Sequence, residues 1–247
     1  MALSRRYLIR AVLLLGLGLS PGRPLPAQSP TAPPPAFRLL SLGDAEPLRY
    51  DLDRQTTRIV NLATTTYSRP HPLPADRRLR FYRLGESPAP GQPPPRVPVA
   101  EISIPTDAPT PVLIVLIPGG LPGRPLPVLA NGAHAEFSAL VIDDSATAAP
   151  RDHLRIISFS QRPAAVKLGD QSVQLAPFET RNLPYPPGTR AALLVATLST
   201  GAWAPVISTM QMLAPDTRIT LLLSDPPPGP SGVSPADLRL RKIAEVF

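Results

Sequence analysis

Short apolar and alternating segments, separated by proline-marked turns, run along most of the chain. One stretch, Arg96–Pro118, holds two such segments, RVPVAEISI and PVLIVLI, on either side of a turn. Trp203–Pro226 repeats the arrangement about one hundred residues later as WAPVISTMQMLAPDTRITLLLSDP. Segments of about five to eight residues with turns every eight to twelve are typical of antiparallel β-sandwiches. The pattern therefore predicts an all-β protein of two tandem antiparallel β-sandwiches.

Two details of the pattern sharpen this prediction. The segment PVLIVLI lacks polar alternation, which is expected of a strand buried on both faces or lying at the centre of a sandwich. The two halves also share dipeptides whose spacings of 107 and 106 residues nearly agree, as a duplication requires. The matching positions are Pro98-Val99 with Pro205-Val206, Ala108-Pro109 with Ala214-Pro215, FRLLSL with LRIISF, and RLRFYRL with AALLVATL.

Changes in composition divide the chain into five parts. A small, polar, proline-marked segment at 144–152 marks the boundary between the two sandwiches. The predicted parts are a signal peptide (1–27), a Pro/Ala-rich spacer (28–36), a first β-sandwich domain (37–147), a second β-sandwich domain (148–226), and a Pro-rich spacer with a short helix (227–247).

The C-terminal helix is predicted from its capping residues and its apolar spacing. Ser234 is placed at the N-cap and Pro235 in the first turn, where a missing N–H costs nothing. Leu240, Ile243 and Phe247 then fall on one apolar face. Such a helix either docks on its own sandwich or acts as a tethered tail for a partner.

The first 27 residues have the composition of an export signal. Arg5, Arg6 and Arg10 precede the apolar run Ala11–Leu19, and Ala27 offers a cleavage position. The motif SRRYLIR resembles the bacterial twin-arginine signal, and a general secretion leader is the alternative. Because the apolar run is far shorter than the ~20 residues of a span, no stable membrane span is predicted. A periplasmic or extracellular location is expected.

Composition excludes several classes of function. With 37 prolines, long helices are excluded over most of the chain. The chain has no cysteine, which removes disulfides, thiolate catalysis and Cys-based zinc sites. The formal charge of +7 falls to +3 without the four arginines of the leader. That mild charge predicts no nucleic acid partner.

Residues for catalysis or metal binding are few. His71, His134 and His153 are the only histidines, and His134 with Glu136 and Asp143 or Asp144 is the one grouping that suggests a metal-dependent hydrolase. A solvated strand end explains the same residues. The chain has no Gly-x-Ser-x-Gly or Ser-x-x-Lys motif and no phosphate-binding loop. No catalytic residue, metal ligand or cofactor is therefore predicted.

One strand offers a candidate binding face. In RRLRFYRL, alternation places Arg78, Arg80 and Tyr82 on one face and Leu79 and Phe81 on the other. The arginine and tyrosine face suits a carbohydrate or a polyanion, and an ordinary half-buried strand with a charged outer face is the alternative. The single tryptophan, Trp203, also has two interpretations: a platform on which a sugar stacks, or a buried core residue.

The stretch LRIISFSQRPAAVKLGDQSVQLAPFETRNL resembles secreted bacterial immunoglobulin-like domains, and about residues 37–224 resemble exported bacterial proteins with two such domains in tandem. Pilus chaperones also have two such domains, but their basic cleft pair is not recognisable here. The resemblance implies an exported, non-enzymatic structural or interaction protein of the bacterial cell envelope, with a protein or an envelope polysaccharide as its partner. The alternatives are the carbohydrate- or polyanion-binding module and, less favoured, the metal-dependent hydrolase.

Overall fold

Sixteen β-strands in four sheets make up the part of the chain that a computed structural model describes, namely residues 34–43, 46–121, 125–199, 201–226 and 238–247. The predicted signal peptide lies outside these residues, as do the N-cap and first turn of the predicted helix. No helix occurs in the described residues. The all-β prediction is therefore confirmed.

The first eight strands form two sheets. We name β4-β1-β7-β8 the first inner sheet and β3-β2-β5-β6 the first outer sheet. The strands are β1 (Ala36–Ser41), β2 (Leu48–Asp51), β3 (Thr57–Val60), β4 (His71–Pro72), β5 (Arg78–Leu84), β6 (Arg96–Ser103), β7 (Val112–Pro118) and β8 (Phe137–Asp143).

The last eight strands form the second inner sheet, β12-β9-β15-β16, and the second outer sheet, β11-β10-β13-β14. The strands are β9 (His153–Ser158), β10 (Ala164–Leu168), β11 (Gln171–Leu175), β12 (Thr180–Pro184), β13 (Arg190–Ser199), β14 (Ala202–Met212), β15 (Thr217–Ser224) and β16 (Arg239–Val246). Each strand of the first half has the same neighbours as the strand eight places later. In each half a single pair, β1 with β7 or β9 with β15, is parallel.

The four sheets stack in the order first outer, first inner, second inner, second outer, with a hydrophobic core in each of the three gaps. The two inner sheets are consequently buried on both faces. In β7, Ile114 and Leu116 enter the first core, while Leu113 and Val115 enter the core between the inner sheets. This position explains why β7 lacks polar alternation, because both of its faces are removed from water.

A β-bulge occurs at the same place in both outer sheets. The register of β5 with β6 shifts between Phe81 and Tyr82, which leaves Val99 as the extra residue beside Pro98. The register of β13 with β14 shifts in the same way around Val206, beside Pro205. The recurring Pro-Val dipeptides therefore mark structurally equivalent bulges.

The predicted C-terminal helix is wrong for residues 239–246, which form strand β16. Leu240 packs toward the second outer sheet, while Ile243 enters the core between the inner sheets. A spacing of three residues marks one face in a helix, but it marks opposite faces in a strand. When both faces of a sheet are covered, an edge strand carries apolar residues on both faces. Their spacing in the sequence can then match the spacing expected of an apolar helix face. The predicted domain limits stay a prediction, and residues 34–247 form one compact unit.

Candidate functional site

The three residues of the predicted binding face, Arg78, Arg80 and Tyr82, lie on β5 of the first outer sheet. Arg80 is engaged by two carboxylates, with Nε 3.2 Å from Glu101 and Nη1 3.5 Å from Asp76. Arg78 is exposed and forms no ion pair among the described residues. The three side chains therefore differ in how free they are to meet a ligand.

Tyr82 is only 6% exposed although it points outward. Its hydroxyl donates to Asp51 Oδ1 at 3.1 Å, and the Arg96 guanidinium covers its ring at 4.6 Å. Burial opposes ionisation of Asp51, but hydrogen bonds from Thr57, Arg96 and Tyr82 together hold its pKa below the ordinary value. The charges of Arg80, Arg96 and Asp51 are thus paired within the chain, and Arg78 is left without a carboxylate partner.

The outer face of the second outer sheet has the opposite character. Four large apolar side chains are exposed there, with 37% of Leu194, 41% of Trp203, 57% of Met210 and 65% of Met212 accessible. Strand pairing places Met210 beside Ala192, and Trp203 beside Leu198. We name the surface formed by Leu194, Trp203, Met210 and Met212 the apolar end face. Trp203 is accordingly not a buried core residue.

All charged residues in the strands of this sheet are positive. Its four strands contain no aspartate or glutamate, and their only charged residues are Lys167 and Arg190. Both side chains are exposed and form no ion pair among the described residues. Lys167 is level with Leu194, and Arg190 is paired with Met212. The apolar end face is therefore flanked by two cations without counterions.

Strand β14 forms one edge of the same sheet and pairs only with β13 among the described strands. It has eleven residues and none is charged. Edge strands are usually protected by charge, proline or a bulge. Here Pro205 and the bulge at Val206 protect the first half, while Ile207–Met212 has no such protection.

A cluster of charges lies between the two inner sheets. Asp144, 1% exposed in its side chain, contacts Arg38 Nη2 at 2.5 Å and Arg155 Nη1 at 2.7 Å. Glu245 accepts from Arg218 Nη2 at 2.7 Å and also contacts Arg38. Because these groups belong to both halves, they tie the two sandwiches together. The three guanidiniums and two carboxylates leave one excess positive charge.

Several buried polar atoms accompany this cluster without a hydrogen-bond partner in the described chain. They are Tyr67 Oη, Arg155 Nε, Asn182 Oδ1 and Thr220 Oγ1. Arg155 pairs in register with both Asn182 and Thr220, so three of these residues share one row of the sheet. Burial raises the pKa of Tyr67 to about 12.

Of the residues suggested for a metal site, His134 lies in an isolated β-bridge with Val128, and two of the carboxylates pair with arginines. Glu136 pairs with Arg83, and Asp144 is enclosed by arginines in the inter-sheet cluster. His71 lies on β4, 5.6 Å from the Phe37 ring, and burial lowers its pKa. Within the described residues no three His, Asp or Glu side chains are placed to share a metal ion.

A small depression elsewhere holds about 200 Å³ beside Asp152, Tyr185 and Leu213. It is smaller than the ~300–1,000 Å³ of typical ligand pockets.

The described part of the chain contains no helix that is long and apolar enough to cross a membrane.

Among known proteins, no protein-family model matches the chain, and no curated protein matches it.

Sequence reasoning missed the apolar end face. A signal was present, since Ser208, Met210 and Met212 occupy alternate positions of a strand without charge. The direction of that alternation could not be fixed, because the bulge at Val206 reverses it partway along β14.

Proposed function

We propose that this protein is an exported, non-enzymatic interaction protein of the bacterial cell envelope, which docks on its partner through the apolar end face. The observation that carries the proposal is the exposure of four large apolar side chains on one sheet face. Contiguous apolar patches on a protein surface mark interaction sites, because leaving them in water is unfavourable.

We further propose that the two halves are tandem immunoglobulin-like domains that arose by duplication. Support comes from the identical pairing scheme of the eight strands in each half. The equivalent bulges beside Pro98 and Pro205 add to this support.

The rest of the molecule suits a scaffold that presents such a face rigidly. The core between the inner sheets contains Leu113, Val115, Ile157 and Leu222, all at most 2% exposed. The buried ion pairs around Asp144 add directional contacts to this apolar packing. A rigid support reduces the ordering entropy that binding costs.

Cell fractionation tests the proposed function. The triple variant Leu194→Ser, Met210→Ser, Met212→Ser should move from the envelope fraction to the soluble fraction, since the docking surface is removed. The matched control, Ile59→Ser with Val97→Ser, alters residues that are 50% and 43% exposed on the first outer sheet. It should fractionate like the unaltered protein. Equal fractionation of all three proteins, with each one folded by circular dichroism, would contradict the proposal.

A carbohydrate- or polyanion-binding role for Arg78, Arg80 and Tyr82 is a second candidate. The observation that favours it is the exposed and unpaired state of Arg78. Retention on an anionic polysaccharide column that is lost in Arg78→Gln, but not in Lys167→Gln, would support this candidate. Absence of retention at low salt would exclude it.

A further inference from the structure

The chemistry of the apolar end face restricts what can cover it. Trp203 lies at one end of β14, and Met210 and Met212 lie at the other. Along the eleven residues of that strand this separation is roughly 30 Å. The surface is the face of a sheet, and the small depression beside Asp152 adjoins only its Arg190–Met212 end. A partner therefore needs a broad apolar surface rather than one inserted side chain.

Charge restricts the partner further. Lys167 and Arg190 stand among the apolar residues, and no carboxylate occurs in the four strands of the sheet. Covering these cations with a neutral apolar surface would remove them from water without a counterion, which is strongly unfavourable. The partner must consequently bring anions to the rim of its apolar surface.

A second copy of the chain does not meet these requirements. Two end faces packed together would bury both copies of Lys167 and Arg190, and the strands of the facing sheet contain no acidic residue to pair with them. Pairing of two β14 edges would engage only the unprotected residues Ile207–Met212. Six residues from each chain bury far less than the roughly 1,200 Å² of a stable interface.

An anionic lipid surface meets both requirements at once. Its acyl chains accept leucine and methionine side chains, and its interfacial layer favours tryptophan. Its phosphates attract lysine and arginine with about 1 kcal/mol for each cation, which corresponds to roughly a fivefold change in partitioning. We propose that the apolar end face seats the protein on an anionic bilayer surface, with Trp203, Leu194, Met210 and Met212 in the interfacial layer and Lys167 and Arg190 at the phosphates. This inference rests on the proposed function and names the partner of the same face.

The fluorescence of the single tryptophan provides a direct test, because Trp203 belongs to the face itself. The full chain is mixed with vesicles of phosphatidylcholine and phosphatidylglycerol in equal parts, or of phosphatidylcholine alone. With the anionic vesicles we expect a blue shift of the emission and quenching by brominated acyl chains. Molar salt should weaken both effects, because it shortens the Debye length to about 3 Å. Since only Trp203 is observed, binding by the N-terminal apolar residues does not imitate this result.

Charge variants make the test quantitative. Lys167→Gln and Arg190→Gln should each lower partitioning into anionic vesicles about fivefold, and together about 25-fold. Arg54→Gln, which removes an exposed arginine from the turn between β2 and β3 in the opposite half of the stack, should leave it unchanged. The variant Met210→Ser with Met212→Ser should reduce the blue shift while keeping the native circular dichroism.

Three outcomes would overturn the inference. One is Trp203 emission that does not change with anionic vesicles, even if the protein sediments with them. Another is equal binding to neutral vesicles. The third is a dimer by light scattering whose formation already shields Trp203 from aqueous quenchers. If the triple serine variant leaves the envelope fraction while the vesicles give no response, the lipid inference fails and the proposed function stands with a protein partner.

Discussion

The two outer sheets hold equivalent positions in the stack, but their solvent faces differ in kind. The first carries carboxylates that pair with some of its arginines, as in the contacts of Arg80 with Glu101 and of Arg96 with Asp51, while Arg78 stays unpaired. The second presents Leu194, Trp203 and two methionines around unpaired cations. The inward faces of both sheets are apolar and buried.

This difference shows which residues the fold constrains. The pairing scheme and the inward side chains are alike in the two halves, because each half must bury a core between its sheets. Outward residues make no contact with that core, so their chemistry is free to serve a partner. Specific function is therefore expected on the face whose exposed apolar area the fold does not require.

The largest expected effect separates the two sides of one strand. Val195 is fully buried in the core of the second half, while its neighbour Leu194 is 37% exposed. Val195→Asp should lower the free energy of unfolding by about 5 kcal/mol or more, because an unpaired charge enters the core. Leu194→Asp should lower it by less than about 1 kcal/mol. Urea unfolding followed by circular dichroism measures both.

The test depends on the difference between the losses of unfolding free energy in these two variants. Losses of similar size would mean that Leu194 is covered in the folded protein, and the two outer sheets would then no longer differ as described.

The next effect concerns the middle of the stack, which links the two end faces. Asp144→Ala should cost about 3–5 kcal/mol of unfolding free energy, because Arg38 and Arg155 lose a buried counterion. Glu101→Ala removes a carboxylate that is 30% exposed and paired with Arg80. It should cost less than about 1 kcal/mol. Urea unfolding of both variants would contradict this interpretation if Glu101→Ala proved the more damaging.

The strand pattern was predictable because each half repeats it. The residues of FRLLSL and LRIISF became the equivalent strands β1 and β9, and the Pro-Val dipeptides became equivalent bulges. The apolar run of β7 indicated a strand with two buried faces, which the four-layer stack explains.

Two features depended on information that a local pattern lacks. The stacking of the inner sheets relies on contacts of Arg38 with Asp144 and Glu245, which lie 106 and 207 residues away in sequence, so no local spacing predicts these contacts. Because of the same stacking, Leu240 and Ile243 are buried on opposite faces of strand β16, although their three-residue spacing favours a helix. The helix error arose because an edge strand between two cores is apolar on both sides.

A smaller effect tests whether the first outer face neutralises itself. Tyr82→Phe removes the hydroxyl that donates to Asp51 and should cost about 0.5–1.5 kcal/mol. The pKa of Asp51 should rise toward its ordinary value, because one of the hydrogen bonds that lower it is lost. A carboxylate with a lowered pKa stabilises the fold above the unfolded value of about 3.9 and loses this contribution as the pH falls through its folded pKa.

Carboxyl titration by nuclear magnetic resonance follows Asp51 directly, and the variant should lose less stability than the unaltered protein when the pH falls through this range. An unchanged pKa would show that Thr57 and Arg96 suffice, and that Tyr82 does not belong to the charge network of this face.

The last pair of variants should differ little in stability but clearly in the response to anionic vesicles. Met210→Ser and Ile59→Ser replace side chains that are 57% and 50% exposed on the two outer sheets. Each should change the free energy of unfolding by less than about 0.5 kcal/mol, because neither side chain fills a core. Only Met210→Ser should weaken the response of Trp203 to anionic vesicles, since only that residue lies on the apolar end face. If Ile59→Ser weakened the response equally, the end faces would not differ in function, and their difference in chemistry would need another cause.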